Sequence, residues 1–178
     1  NKTENKTSVN LAFKHILTQI NFSAELESGV TYTVTKIEIM DVNNTGTFTY
    51  GTGDVVGAWS SLSGKISYEY AGKYDATATD NVADFSTNAN ALMLLPQTLS
   101  ADAKIAVTYS AVKNGFTTFT GTKEVSLKDK VWGIGKNLRY TLKLSSDATE
   151  VVFTPSVSEW TDETPQPDPV TPVTPPTE

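Results

Sequence analysis

The chain predicts an all-β fold: a two-sheet β-sandwich of short antiparallel strands joined by Greek-key crossovers. Three observations carry this. Apolar and polar residues alternate in many short runs, the period of a strand buried on one face. Gly, Asn, Asp and Ser recur between the runs at hairpin spacing. Helix-like spacing is confined to Ile16, Leu17 and Ile20, so only one short helical turn, near residues 14–20, is expected.

Taken in order, residues 1–8 are polar and expected to fray. Val9, Leu11 and Phe13 alternate as a first strand, and Phe22, Ala24 and Leu26 alternate after the helical turn. Val30, Tyr32 and Val34 lie on one parity, Ile37 and Ile39 on the other. One continuous strand cannot place both sets on one face, so a bulge near Thr35-Lys36, or a break into two strands, is required. Asp41 to Gly46 reads as a loop, Thr47–Tyr50 as a short strand, and Gly51–Gly57 as a glycine-rich connection to Trp59. Ile66, Tyr68 and Tyr70 alternate again, and residues 71–90 read as a long surface loop. Ala91–Leu95 is apolar on both parities, a strand covered on both faces or a buried strand end, and Pro96 stops it.

Ile105, Val107, Tyr109 and Ala111 lead to Asn114-Gly115, with Phe119, Val125 and Leu127 beyond. A two-residue turn would pair Lys113 with Phe116 and set odd positions opposite even ones, splitting the two apolar sets. A three-residue loop, Lys113-Asn114-Gly115, gathers them on one face and is therefore expected, with Gly115 left-handed. The last hairpin runs from Val131 to Trp160. Leu138, Tyr140, Leu142 and Leu144 alternate, Ser145-Ser146-Asp147 turns, and Val151, Phe153 and Val157 return. These readings delimit a sandwich domain at 9–161, followed by a linker or tail at 162–178. Six of the eight prolines fall between Pro165 and Pro176, a composition suited to solvated polyproline rather than to a central strand.

Composition excludes several classes of function. There is no cysteine, which removes disulfides, thiolate catalysis and cysteine-ligated metals. Against 20 acidic residues stand 14 basic ones, a formal charge of −6 without basic clusters, which argues against nucleic acid and anionic membranes. No apolar run approaches the roughly 20 residues of a membrane-spanning helix, and no signal peptide opens the chain. The low charge, 19%, and the abundance of Thr, Ser, Asn and Gly lean toward an exported protein.

Candidate chemistry is sparse. His15 is the single histidine, and packing beside the first strand accounts for it better than catalysis or metal binding. Asp41-Val-Asn43-Asn44-Thr45-Gly46 echoes a calcium loop, but the twelfth position is Thr52, which has no carboxylate. Asp80 to Asp84 is a weaker echo. Gly51-Thr-Gly53 and Gly133-Ile-Gly135 lack the helix that a phosphate cradle requires. The N-x-[ST] triplets at Asn1, Asn5, Asn21 and Asn43 carry little weight in so Asn- and Thr-rich a chain. No catalytic residue, metal site or cofactor is expected. Trp59, Tyr68, Tyr70 and Tyr74 form the one candidate ligand surface, an aromatic platform for a sugar ring, with core packing as the competing role.

Three stretches in series resemble a known family, the fimbrillin-like surface proteins of Bacteroides-type bacteria. They are Val9-Asn-Leu11-Ala-Phe13-Lys-His15-Ile-Leu17-Thr-Gln-Ile20-Asn-Phe22, then Leu92-Met-Leu94-Leu95-Pro96-Gln97-Thr98. The third is Trp132-Gly133-x-Gly135 with Tyr140-Thr-Leu142-x-Leu144 and a closing Trp160. The resemblance implies the second domain of a two-domain β-sandwich lipoprotein on the outer cell surface, its lipid-bearing cysteine upstream. It implies a non-enzymatic fimbrial (pilus) or adhesive subunit, acting through strand addition with other fimbrial subunits or with a host or bacterial surface protein. The proline-rich end is a poor donor strand, which favours a tip or accessory subunit over ordinary shaft polymerisation. Two other classes compete. One is a carbohydrate-binding module of a surface glycan-capture system, which needs an exposed aromatic pair. The other is a hydrolase, which needs a carboxylate pair or metal in a cleft.

Overall fold

The computed structural model describes residues 13–53, 55–71, 82–85, 90–147 and 152–159. Nine strands form two sheets: β1 (Thr18–Glu25), β2 (Val30–Tyr50), β3 (Gly57–Glu69), β4 (Val82–Asp84), β5 (Leu92–Leu94), β6 (Lys104–Lys113), β7 (Phe116–Ser126), β8 (Lys136–Lys143) and β9 (Val152–Glu159). One sheet runs β4-β1-β8-β9, with β5 also pairing β1; the other runs β3-β2-β6-β7. The chain crosses between sheets after β1, β3, β5 and β7. Between them lies one core, in which Phe22, Tyr70 and Tyr140 pack ring against ring at 4.9 and 6.0 Å.

The expected all-β sandwich is therefore observed, with corrections to its parts. No helical turn occupies residues 14–20. Residues 13–16 have no regular secondary structure, and β1 begins at Thr18. A single helical turn is a poor competitor, since nucleation fixes several residues for one hydrogen bond. Thr18–Ile20 instead pairs with β5 on one side and continues along β8 on the other. The β1–β8 ladder is parallel, not antiparallel, and the strands are not uniformly short, β2 having 21 residues. Val9 and Leu11 lie outside the described residues, and Phe13 is 79% exposed.

The bulge in β2 falls where parity requires it. Val34 pairs with Tyr109 and Lys36 with Thr108, leaving Thr35 as the extra residue, its hydroxyl donating to Thr108 O at 3.3 Å. Val34, Ile37 and Ile39 are all buried as a result. Asp41–Gly46, expected as a loop, is strand. β2 absorbs its irregularity at Asp41, which sits at φ 58°, and runs on opposite β3 to Tyr50. Of the expected 71–90 loop, residues 82–84 form β4 against β1, and residues 72–81 and 86–89 lie outside the described set. In β5, Met93 is 43% exposed, so that strand is covered on one face only.

The β6–β7 turn contradicts the three-residue expectation. Lys113 pairs with Phe116 across a two-residue turn, with φ of 53° at Asn114 and 80° at Gly115. Both central residues are left-handed, the type I′ geometry that suits strand twist. The parity problem is solved elsewhere. A bulge leaves Thr118 unpaired between Val112↔Thr117 and Ala111↔Phe119, and odd then pairs with odd through Ile105↔Val125. Phe119 and Val125 thus join the face of buried Ile105, Val107, Tyr109 and Ala111.

Candidate interaction surface

Described parts of the three stretches that carry the family resemblance, Leu17–Thr18, Gln97 and Trp132–Gly135, meet at one end of the sandwich. Thr18 is fully buried, and its hydroxyl donates to Gly133 O at 2.7 Å, while Gly135 N donates to Leu17 O at 3.0 Å. Gly135 itself sits at φ 64° with His15 O 3.3 Å from where a Cβ would lie. His15 is half-buried in this junction. Gln97 and Trp132 exchange main-chain hydrogen bonds of 3.0 and 2.9 Å, and the buried Trp132 indole donates to Tyr140 Oη at 2.9 Å.

Gln97, 6% exposed, then ties the two sheets together. Its Oε1 accepts from Asn43 N at 3.0 Å, and its Nε2 donates to Asn43 O and Leu95 O, both at 3.1 Å. The side-chain amide so acts as a further strand for Asn43, a residue of the Asp41–Gly46 stretch expected as a loop. Among the described residues no three or more His, Cys, Asp or Glu side chains gather to hold a metal.

The opposite end carries a second set of ties. Tyr32 Oη donates to Leu144 O at 3.2 Å and Tyr109 Oη to Ser145 O at 3.0 Å. Glu27 accepts from Lys113 and from Ser146, at 2.7 and 2.6 Å. These two donors hold its carboxyl below the usual carboxylate range. Burial pushes the hydroxyls of Tyr32, Tyr109 and Tyr140 up from their ordinary 10.0, and at Tyr140 it outweighs the opposing pull of the Trp132 indole.

The candidate sugar platform is not gathered in one place. Tyr70 is fully buried, its hydroxyl donating to Phe85 O at 3.1 Å and to Asn90 Oδ1 at 3.4 Å. Tyr68 is half-buried opposite Ile39, against the core. Trp59 stands nine positions before Tyr68 on β3, beyond the bends at Ser61 and Gly64. Tyr74 lies outside the described residues.

Trp59 belongs to a different cluster that the sequence reading missed. Beyond Met40, β2 loses its β6 partner and continues with β3 as a two-stranded ribbon. Phe48 lies directly opposite Trp59, and Tyr50 opposite Gly57, so one ribbon face is aromatic. The rings of Tyr50, Phe48 and Trp59 step along it at 5.1 and 5.2 Å. Gly57 makes room for this, since a Cβ there would lie 2.8 Å from Phe48. The coil before β1 crosses the same face, where the Trp59 indole donates to Ile16 O at 2.7 Å. Tyr50 and Phe13, 81% and 79% exposed, rim a pocket of about 390 Å³ with Lys14, Ile16, Gly53, Val55 and Val56. The available signal was hairpin parity across Gly51–Gly57, which places Phe48 and Trp59 on one face once the two strands are joined.

The described residues form an all-β sandwich tied at both ends, with an apolar aromatic patch on the β2–β3 ribbon. The chain belongs to the fimbrillin-like family, whose profile matches residues 1–160. No curated protein matches it. Among solved structures, a fimbrial protein from Bacteroides vulgatus is similar with a TM-score of 0.51 at 19% identity, over 83% of this chain and 55% of that one. A provisionally assigned cell adhesion protein from Bacteroides uniformis gives 0.48 at 14% identity, over 83% and 52%. A second such protein, from Bacteroides fragilis, gives 0.42 at 21%, over 84% and 48%. The chain thus spans about half the length of these structures, and at such identities the first of them speaks to the fold alone.

Proposed function

We propose that this chain is a non-enzymatic structural or adhesive module of the outer cell surface, part of a fimbrial subunit or of an accessory or tip component. The observation that carries this is membership of the fimbrillin-like family over residues 1–160. Its partners are other fimbrial subunits or a surface protein of host or bacterium, and its contacts are made by strand addition.

The open edges support that mode. An edge strand offers unpaired N–H and C=O groups to an incoming strand unless it is short, bent or interrupted by proline. β4 and β5 have three residues each, β9 contains Pro155, and β3 is bent at Ser61 and Gly64, with φ of 52° and 72°. β7 has 11 residues and no proline, and one bulge, at Thr118, interrupts its ladder to β6.

The test is mechanical shearing of cells that carry the full-length protein. The chain is expected in the sheared surface-fibre fraction and accessible to protease on intact cells. Recovery only from the cell interior would contradict the proposal.

A further inference from the structure

We infer that Asn114, at the tip of the β6–β7 hairpin, is a site of spontaneous modification. Its side-chain amide is lost through attack by the main-chain nitrogen of Gly115, and the product loosens the start of β7. Asn114-Gly115 is the single Asn-Gly step in the chain. Attack meets least hindrance at such a step, because the attacking residue has no Cβ. Both residues are exposed, and nothing lies within 4 Å of where a Cβ on Gly115 would stand. In a two-residue turn the closing hydrogen bond runs between the flanking residues, here Lys113 and Phe116, which leaves the Gly115 N–H outside the ladder. Ring closure needs a rotation about Asn114 ψ, away from the left-handed well in which φ is 53°. An exposed hairpin tip allows that by local opening at low cost in free energy.

The step balances without oxidant or reductant. The Gly115 nitrogen bonds to Asn114 Cγ and gives up its proton, and the side-chain nitrogen leaves as ammonia, forming a cyclic imide. Water then opens the ring at one of its two carbonyls. Opening at Cγ gives aspartate. Opening at the main-chain carbonyl gives isoaspartate, in which the chain runs on through Cβ and Cγ. Either product places a carboxylate next to Lys113, whose ammonium Glu27 already holds at 2.7 Å in the tie between this hairpin and the β1–β2 turn. Isoaspartate also lengthens the main chain by a carbon atom inside a turn whose register rests on Lys113↔Phe116 and Val112↔Thr117. Those two pairs alone separate the turn from the bulge at Thr118, where the ladder is already interrupted.

The test is incubation of the full chain at mildly alkaline pH and body temperature, sampled over time by tryptic digestion and mass spectrometry. Cleavage after Lys113 and Lys123 releases Asn114–Lys123, which holds one Asn and no Gln, so exchange of its amide for an acid is read without ambiguity. This peptide is expected to convert before any other Asn-bearing peptide, with isoaspartate as the larger product. Amide hydrogen exchange at Phe116 and Thr117 is expected to be faster in the converted chain than in the parent. Absence of conversion in the folded chain overturns the inference, a urea-unfolded sample reporting that the chemistry was given time. Conversion spread evenly over the asparagines overturns it too, as does conversion that leaves exchange at Phe116 and Thr117 unchanged.

Discussion

Replacing Gln97 tests the physical account most sharply, because one nearly buried side chain makes three hydrogen bonds, two of them to Asn43 of the other sheet. Gln97→Ala removes all three at once. Each is worth about 1 kcal/mol net, so the loss is about 3 kcal/mol, less a fraction that water restores at half-buried Asn43. An expected cost of about 2–3 kcal/mol is a large share of the ~5–15 kcal/mol stability usual for a domain. Gln97→Glu separates the bonds by type. It keeps the acceptor facing Asn43 N but turns the donor into a second oxygen facing the carbonyls of Asn43 and Leu95. That arrangement disfavours the carboxylate, so the folded-state pKa lies above the ~4.3 of an unfolded Glu. By linkage, the variant's stability relative to the parent is highest below about pH 4.3 and falls as pH rises through the raised folded value. The assay is urea denaturation followed by tryptophan fluorescence, parent and variants at matched pH. A Gln97→Ala cost below about 0.5 kcal/mol, or a Gln97→Glu penalty that does not grow with pH, would refute the clamp.

Three further outcomes follow from the same packing. Trp132→Phe loses buried volume and the hydrogen bond to Tyr140, and is expected to cost about 2 kcal/mol, read from the denaturation midpoint. Gly115→Ala forces a Cβ into left-handed backbone, at about 1 kcal/mol, although nothing lies within 4 Å of that Cβ. Chemical denaturation checks it, and a neutral result would mean that the type I′ turn is not populated. In an ultraviolet titration, Tyr32, Tyr68, Tyr109 and Tyr140 should ionise above the ordinary 10.0, because burial raises them all. Raised folded values mean that this stability is fully present below pH 10 and is lost as pH climbs through them. Unfolding should therefore accompany late tyrosine ionisation, and a single normal titration without unfolding would contradict the burial described.

Parity was the most legible signal in the chain. The mismatch between Val34 and Ile37 located the Thr35 bulge, and the alternation of Leu138, Tyr140 and Leu142 gave the buried face of β8. It failed where two solutions share one parity outcome. A three-residue loop at Asn114-Gly115 and a two-residue turn followed by a bulge at Thr118 both gather Phe119 with Tyr109. Polar stretches misled in another way. Asp41–Gly46 has loop composition, yet the ladder to β3 and the Gln97 clamp hold it extended. The candidate site was only partly legible. Tyr68 and Tyr70 share a parity, but that parity faces the core, while Tyr50 and Phe48 meet Trp59 only once the β2–β3 ribbon is formed.

The central functional claim is contact by strand addition, and amide hydrogen exchange tests it directly. Exchange should be compared between the isolated chain and the same chain within sheared fibres. Strand addition predicts that outward-facing amides of an edge strand, β7 first, gain protection on assembly while the core strands β1 and β6 stay as they were. Assembly that leaves every edge amide unprotected would contradict it.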